Sequence, residues 1–184
     1  MNIRLATIQD KRVLKQLLNN QLFTSDFYYI CDDLDVDYSD FIRIYQSVMD
    51  FYGYKNPPIF TCVVNDYANF YGTRRTKNIV LLDLWVPNDF VNVQSDTNWG
   101  DFLFYAYRPE LWSFEESFED FKAKVLNGKD IAKLREPVQA TIPCIFPSWL
   151  NGAYEIDKTF IDKFRGFTVF SDSNFNELKP LYLK

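Results

Sequence analysis

The feature that most constrains this chain is the apolar run Ile79–Val86, IVLLDLWV, broken once by Asp83 and closed by Pro87. A run this short and continuous, rich in Leu, Val and Ile, marks a strand covered on both faces. Such a strand needs a sheet around it and layers above and below, so the remaining sequence must supply both. Pro87 cannot donate to a ladder and ends regular pairing. Beyond it, Phe90–Val93 reads as a short strand, and Ser95 or Asp96 caps a helix whose inward residues are Trp99, Phe102, Leu103 and Ala106. Polar groups carried from the end of a core strand to the mouth of a helix are well placed to wall a pocket.

On the N-terminal side, Ile3–Ile8 is a strand, and Thr7-x-x-Asp10 is a capping signature for a helix carrying Val13, Leu14, Leu17 and Leu18 on one face. Asn19 and Asn20 end that helix. Asp26 to Asp40 is dense in aspartate but lacks the mid-loop Gly and terminal Glu of a calcium loop, so it reads as an acidic loop. A helix starting at Ser39 or Asp40 then places Phe41, Ile42, Tyr45, Val48, Met49 and Tyr52 inward and closes at Gly53. Pro57 and Pro58 fix an extended entry to the strand Ile59–Val64.

On the C-terminal side, Arg108-Pro109-Glu110 is a corner. Ser113-x-x-Glu116 reads as a capping box for a helix with Phe114, Phe118, Phe121 and Val125 inward and an exit at Asn127-Gly128. Ile131 and Leu134 suggest a short further helix. Val138–Ile142 alternates, as a half-buried strand does. Pro143 and Pro147 make the segment between them an edge or an irregular crossing. Asp157 starts a last helix ending at Gly166, Phe167–Phe170 reads as a strand, and Leu181-Tyr182-Leu183 as a short return strand or a docked terminus. The expected fold is one α+β domain over residues 1–184, with a mixed, mostly antiparallel and possibly split sheet flanked by amphipathic helices.

Composition narrows the chemistry. The chain has no histidine, which removes Ser-His-Asp and Cys-His hydrolysis and the His-bearing zinc motifs. Its three cysteines, Cys31, Cys62 and Cys144, have neither disulfide-framework nor zinc-ligand spacing. No metal site is expected. The formal charge of -5 argues against a dedicated nucleic-acid binder. No apolar segment resembles a secretion leader or reaches bilayer-spanning length, so a soluble cytoplasmic protein is expected. The 18 Phe, 12 Tyr and 4 Trp exceed ordinary usage and fit either a ring-packed core or an interface.

Two groups of residues have a claim to a site. Thr7 and Gln9 at a strand-to-helix corner, Asp96 and Trp99 at a helix mouth, and Gln139 and Thr141 on the alternating strand can each offer hydrogen bonds or a ring to a ligand; each also has an ordinary reading as a cap, a turn or a core filler. Arg74, Arg75 and Lys77, with Tyr67, Phe70 and Tyr71 just before them, form a compact basic loop suited to phosphate, or simply a hairpin with a cationic tip. GTRRTKN is not a Walker motif.

Thr7-Ile8-Gln9, Pro58-Ile59-Phe60, Leu81 to Pro87, Ser95-Asp96-x-x-Trp99 and Gln139-Ala140-Thr141, taken in order, resemble a bacterial family of similar length known as a domain of unknown function. The chain departs from the family pattern at Ala6, where Trp is usual, and at Gly100, where His is common. The resemblance implies a small split sheet similar to those of ADP-ribosyltransferase-like proteins. NAD would then lie between strands, contacted by Thr7, Gln9, Asp96, Trp99, Gln139 and Thr141. Gln139 would stand where such enzymes often carry Glu; a Gln binds a ribose hydroxyl but takes no proton, so binding without turnover is one form of this expectation. Two alternatives stand beside it: a non-enzymatic protein-binding or adaptor module, suggested by the acidic segment and the aromatic surplus, and a nucleic-acid-associated factor using the Arg/Lys loop.

Overall fold

The computed structural model describes residues 1–27, 38–64, 77–95, 99–127, 138–163 and 170–184. Ile79–Pro87 forms β3, in which Val80, Leu81, Leu82, Asp83 and Leu84 are all fully buried, as a strand covered on both faces must be. It sits inside a seven-stranded sheet ordered β4-β5-β2-β1-β3-β6-β7, formed by β1 (Asn2–Asp10), β2 (Ile59–Val63), β4 (Asn92–Ser95), β5 (Val138–Ile142), β6 (Leu150–Glu155) and β7 (Lys179–Leu183) around it. Each neighbouring pair is antiparallel. The α+β single-domain expectation is met, with strands and helices mixed along the chain and one sheet serving as the frame.

The backbone of that frame is the β1–β3 pairing, which runs in unbroken register from Asn2↔Pro87 to Asp10↔Ile79. On its other side β1 pairs with β2 only at Leu5↔Val63 and Ala6↔Cys62. Beyond that pairing the Thr7 hydroxyl donates to the Phe60 carbonyl at 2.9 Å. The seven strands nevertheless form one continuous sheet, with β1–β2 its shortest register, rather than a split one.

The helices, in chain order, are α1 (Lys11–Leu18), α2 (Tyr38–Tyr52), α3 (Trp99–Tyr107), α4 (Phe118–Leu126), α5 (Lys158–Lys163) and α6 (Asp172–Phe175). Asp10, not Thr7, caps α1, accepting from the Arg12 amide at 2.7 Å; β1 simply runs on to the cap residue. Val13, Leu14 and Leu17 enter the main core from this helix. Gly53 closes α2 with φ of 68°, a conformation that other residues adopt at a cost, while the Tyr54 amide donates back to Met49. Val48, Trp99, Phe102, Ala106, Val125 and Leu126 make a second core where α2, α3 and α4 meet, with Phe60 of β2 packed against it.

Further expectations need correction, beginning with Leu18, which is 52% exposed rather than inward. Ser117 rather than Ser113 caps α4, its hydroxyl accepting from the Asp120 amide at 3.1 Å, so Phe114 lies outside the helix and is 58% exposed instead of inward. The Trp112 indole donates to the Glu116 carbonyl at 2.7 Å and holds the intervening chain in an irregular path. Leu150–Glu155 is a strand with no counterpart in the sequence reading. Phe90 belongs to a single 3₁₀ turn, and the strand after it is shifted to Asn92–Ser95. The polar tail contains α6, closed by a capping box between Ser171 and Asn174, and then β7, which realises the return-strand alternative for Leu181-Tyr182-Leu183. The helix suggested at Ile131–Leu134, most of the strand suggested at Phe167–Phe170 and the greater part of the acidic loop lie outside the described residues.

Candidate functional site

Directly paired residues of antiparallel strands share a sheet face, so the register fixes what each face offers. Gln94, Gln139, Cys62, Ala6, Asp83 and Gly152 form one row across the sheet, and Asn92, Thr141 and Phe60 lie on the same face. The opposite face is mainly aliphatic, with Leu5, Val63, Leu82, Leu84, Ala140, Ile142 and Ala153 fully or almost fully buried. The first face is the polar one, and it carries two separate hydrogen-bonded centres.

At the β4–β5 end, Tyr52 from the last turn of α2 and Tyr54 just past Gly53 reach down to the sheet. Gln94 Nε2 is 2.8 Å from Thr141 Oγ1, 3.1 Å from the Tyr52 hydroxyl and 3.0 Å from the Asn92 carbonyl, which it donates to. Tyr52 in turn donates to the Leu126 carbonyl at 2.5 Å, tying the end of α4 to α2. Asn92 Nδ2 donates to the Tyr54 hydroxyl at 2.5 Å. Burial pushes both phenols above their ordinary pKa, Tyr52 well above, with Gln94 and Asn92 opposing the shift through their hydrogen bonds. Among the described residues, Gln94 Oε1 and Gln139 Oε1 are buried without a hydrogen-bond partner.

At the β1–β3–β6 end, Arg4 forks onto the fully buried Asp83, with Nε to Oδ1 at 2.8 Å and Nη2 to Oδ2 at 2.9 Å. Asn151 Nδ2 donates to the same carboxylate at 2.6 Å. Arg4 also pairs with Asp172 of α6, and its guanidinium lies 4.5 Å from the centre of the Phe175 ring and 5.8 Å from that of Trp85. The Asp83 hydrogen bond raises the Arg4 pKa above its ordinary value, against the opposing effect of burial. The arrangement fastens α6 to the sheet and satisfies the one carboxylate that interrupts the β3 run. Beside it, a Cβ at Gly152 would stand 3.0 Å from the Tyr154 ring, a tight contact that the tyrosine would have to shift to relieve.

The residues expected at a nucleotide site are distributed differently. Thr7 and Gln9, linked by a 2.9 Å hydrogen bond from Gln9 Nε2, face the aliphatic side. Gln139 and Thr141 face the other side, at 8% and 0% exposure. Trp99 is 6% exposed and packs on Phe102 and Phe60 in the helical core. Thr141 is brought together with Asn92, Gln94 and Tyr54, but Thr7 and Gln9 are divided from it by the plane of the sheet. Asp96, Arg74 and Arg75 lie outside the described residues; Lys77 is exposed. Among the described residues no cluster of His, Cys, Asp or Glu could hold a metal ion, and no helix is long and apolar enough to cross a membrane.

Among the described residues, besides the half-exposed Phe90 and Phe146 packed on Trp149, two surface features stand out. One is an open groove of about 600 Å³ between the end of β6, α5 and the start of β7, floored in part by Ile156, Phe160 and Leu178. Its charges neutralise one another: Lys163 pairs with Glu177 and Lys179 with Glu155, each at 2.8 Å, and Lys179 draws the Glu155 pKa below its ordinary value. The other lies on α3, the turn Pro109–Leu111 and the chain leading into α4. There Phe104 is 50%, Leu111 49% and Phe114 58% exposed. Beneath and between them Tyr105, Trp112 and Phe114 are in ring contact at 4.8 to 5.7 Å, and Trp112 rests on Phe118 and Phe121. Asp101, Glu110 and Glu115 of the same stretch are exposed, and Arg108 lies 4.0 Å from Glu110. Glu116 and Glu119 are paired with Lys124 and Lys122.

The sequence reading missed this surface because it placed Phe114 inside a helix. The available signal was Leu111-Trp112-Ser113-Phe114 itself, a bulky apolar stretch beside a Pro corner with neither helical nor strand period. No protein-family model, curated protein or solved structure matches the chain.

Proposed function

We propose that this chain is a protein-binding module, and that it engages its partner through the ring surface of Phe104, Leu111, Trp112 and Phe114. The observation that carries this reading is the half-exposure of Phe104, Leu111 and Phe114, with Phe104 and Phe114 both resting on the Tyr105 ring. Single exposed apolar residues are ordinary, but a contiguous group held rigid from below is the usual make-up of an interface hot spot. Rigid rings lose little rotamer entropy when a partner covers them, so area buried there converts well into affinity. The nucleotide reading has less support, because the described groups expected to line its pocket face opposite sides of the sheet.

The test is a selection from a displayed random-peptide library, with the variant carrying Phe104→Ser and Phe114→Ser as counter-target. Sequences enriched on the wild-type protein and lost on the variant support the reading. Enrichment that is equal on both proteins, or no enrichment at all, overturns it.

A further inference from the structure

We infer that the segment recognised by this surface is arginine-bearing: a stretch of a partner protein with one or two large apolar anchors flanked by guanidinium groups. The inference rests on the protein-binding reading above and names the chemistry of the partner. Two features of the surface recognise the same group. Guanidinium stacks on the faces of Trp, Tyr and Phe, and forks onto carboxylates. Here exposed Phe114 and the half-buried Tyr105 and Trp112 are accompanied in the same stretch of chain by exposed Asp101, Glu110 and Glu115. Asp101 shares a helix face with Phe104 and Tyr105 by its spacing, and Glu115 follows Phe114 directly. Asp101 and Glu115 have no ion-pair partner among the described residues, while Glu110 lies 4.0 Å from Arg108.

Ring spacing decides where a cation sits. Tyr105, Trp112 and Phe114 touch one another at 4.8 to 5.7 Å between centres, so no cation fits among them. A guanidinium lies flat over their outer faces, which suits its planar shape better than a compact, strongly hydrated ammonium. The exposed carboxylates also select against other occupants. They repel an anionic lipid surface and a nucleic-acid backbone, and they repel their own copies in a face-to-face dimer.

The experiment uses the full chain and four labelled synthetic peptides sharing Trp and Leu anchors, with Arg, Lys, citrulline or Glu at the flanking positions, read by fluorescence anisotropy. The Arg peptide is expected to bind most tightly. Each Arg→Lys exchange should weaken it, because an ammonium neither lies flat on a ring nor forks onto a carboxylate. Each Arg→citrulline exchange should weaken it further, by about threefold or more, the exposed-site value of a cation–π contact, and the Glu peptide should bind most weakly of the four. Glu110→Lys with Glu115→Lys should abolish the Arg preference while leaving the apolar contribution, and binding of the Arg peptide to the wild-type protein should fall as salt is raised. Circular dichroism confirms that both variants are folded. Equal binding of the Arg and citrulline peptides, or no effect of the charge reversals, overturns the inference but leaves the protein-binding reading standing. Peptide binding that survives Phe104→Ser with Phe114→Ser overturns both. Transfer to anionic vesicles that is lost in the same ring variant also overturns both, since it makes the surface a membrane face.

Discussion

Replacing Asp83 by alanine tests what holds the centre of the sheet. The carboxylate is fully buried and accepts from Arg4 at 2.8 and 2.9 Å and from Asn151 at 2.6 Å. Breaking a buried ion pair by removing one partner costs about 3–5 kcal/mol, because the other charge stays behind. In Asp83→Ala the orphan is Arg4, whose side chain is 21% exposed and keeps Asp172 and the Phe175 ring, so the loss falls near the lower end, about 3 kcal/mol. In Arg4→Met the orphan is Asp83 itself, at 0% side-chain exposure with only Asn151 left to it, so the loss falls near the upper end, about 5 kcal/mol. The pair is thus asymmetric.

The assay is urea unfolding followed by tryptophan fluorescence, with a double-mutant cycle through Arg4→Met and Asp83→Leu. A chain of this size loses about 2–4 °C of Tm per kcal/mol, so Asp83→Ala should unfold about 6–12 °C lower. The double variant should be less destabilised than the sum of its singles by at least about 2 kcal/mol, since neither charge is then stranded. Additivity within about 0.5 kcal/mol, or a larger loss for Asp83→Ala than for Arg4→Met, would refute the reasoning.

Three further outcomes follow from the geometry. Burial raises the Tyr52 and Tyr54 phenols above their unfolded values, so their contribution to stability is whole below about pH 10 and is lost as pH climbs toward the raised folded-state values; urea midpoints measured across that range should fall more steeply for the wild type than for Tyr52→Phe. Gly53→Ala forces a side chain into the left-handed region at φ of 68° and should destabilise by about 1 kcal/mol, read from the same urea curves, whereas Gly100→Ala, with open space at its Cβ, should not. Cys62 and Cys144 are buried, and burial raises the Cys144 thiol pKa, so both should resist a water-soluble thiol reagent until denaturant is added, as peptide mapping of the labelled chain would show.

What could be read from the sequence, and what could not, divides along the range of the interactions. β3 was legible because its signal is local: an apolar run and a terminating proline belong to the strand itself. The helix ends at Gly53 and at Asn19 were legible for the same reason. Leu150–Glu155 was not, because Asn151 and Gly152 erase its alternation; Asn151 serves Asp83, 68 residues away, and Gly152 leaves room for the Tyr154 ring two residues on. The alternation of Val138–Ile142 correctly placed Gln139 and Thr141 together on one face. It could not reveal that their face is covered by Tyr52 and Tyr54, nor that Thr7 and Gln9 point the other way, since both facts depend on the order of strands. The sequence pointed to Ser113 as the cap of α4; Ser117 takes that role instead, with the Trp112 indole bound to the Glu116 carbonyl just before it.

That choice of cap explains why the chain has a ring surface at all. Had α4 begun at Ser113, Phe114 would lie one turn before Phe118 and share its inward face. By starting four residues later, the helix keeps Phe118 and Phe121 under Trp112 and leaves Phe114 and Leu111 outside. The second core remains closed without them: Phe102 and Val125 are fully buried, and neither needs the outer residues for cover from the sheet side. Exposed positions of this kind contribute little to folding, so replacing Phe104, Leu111 and Phe114 together by serine should change stability by no more than about 1.5 kcal/mol, roughly 0.5 per site. The same three substitutions should remove partner binding. A surface whose loss is nearly silent in the urea curve and complete in the binding assay is one that the fold presents without depending on it, and that separation is what distinguishes an interface from an imperfectly covered core.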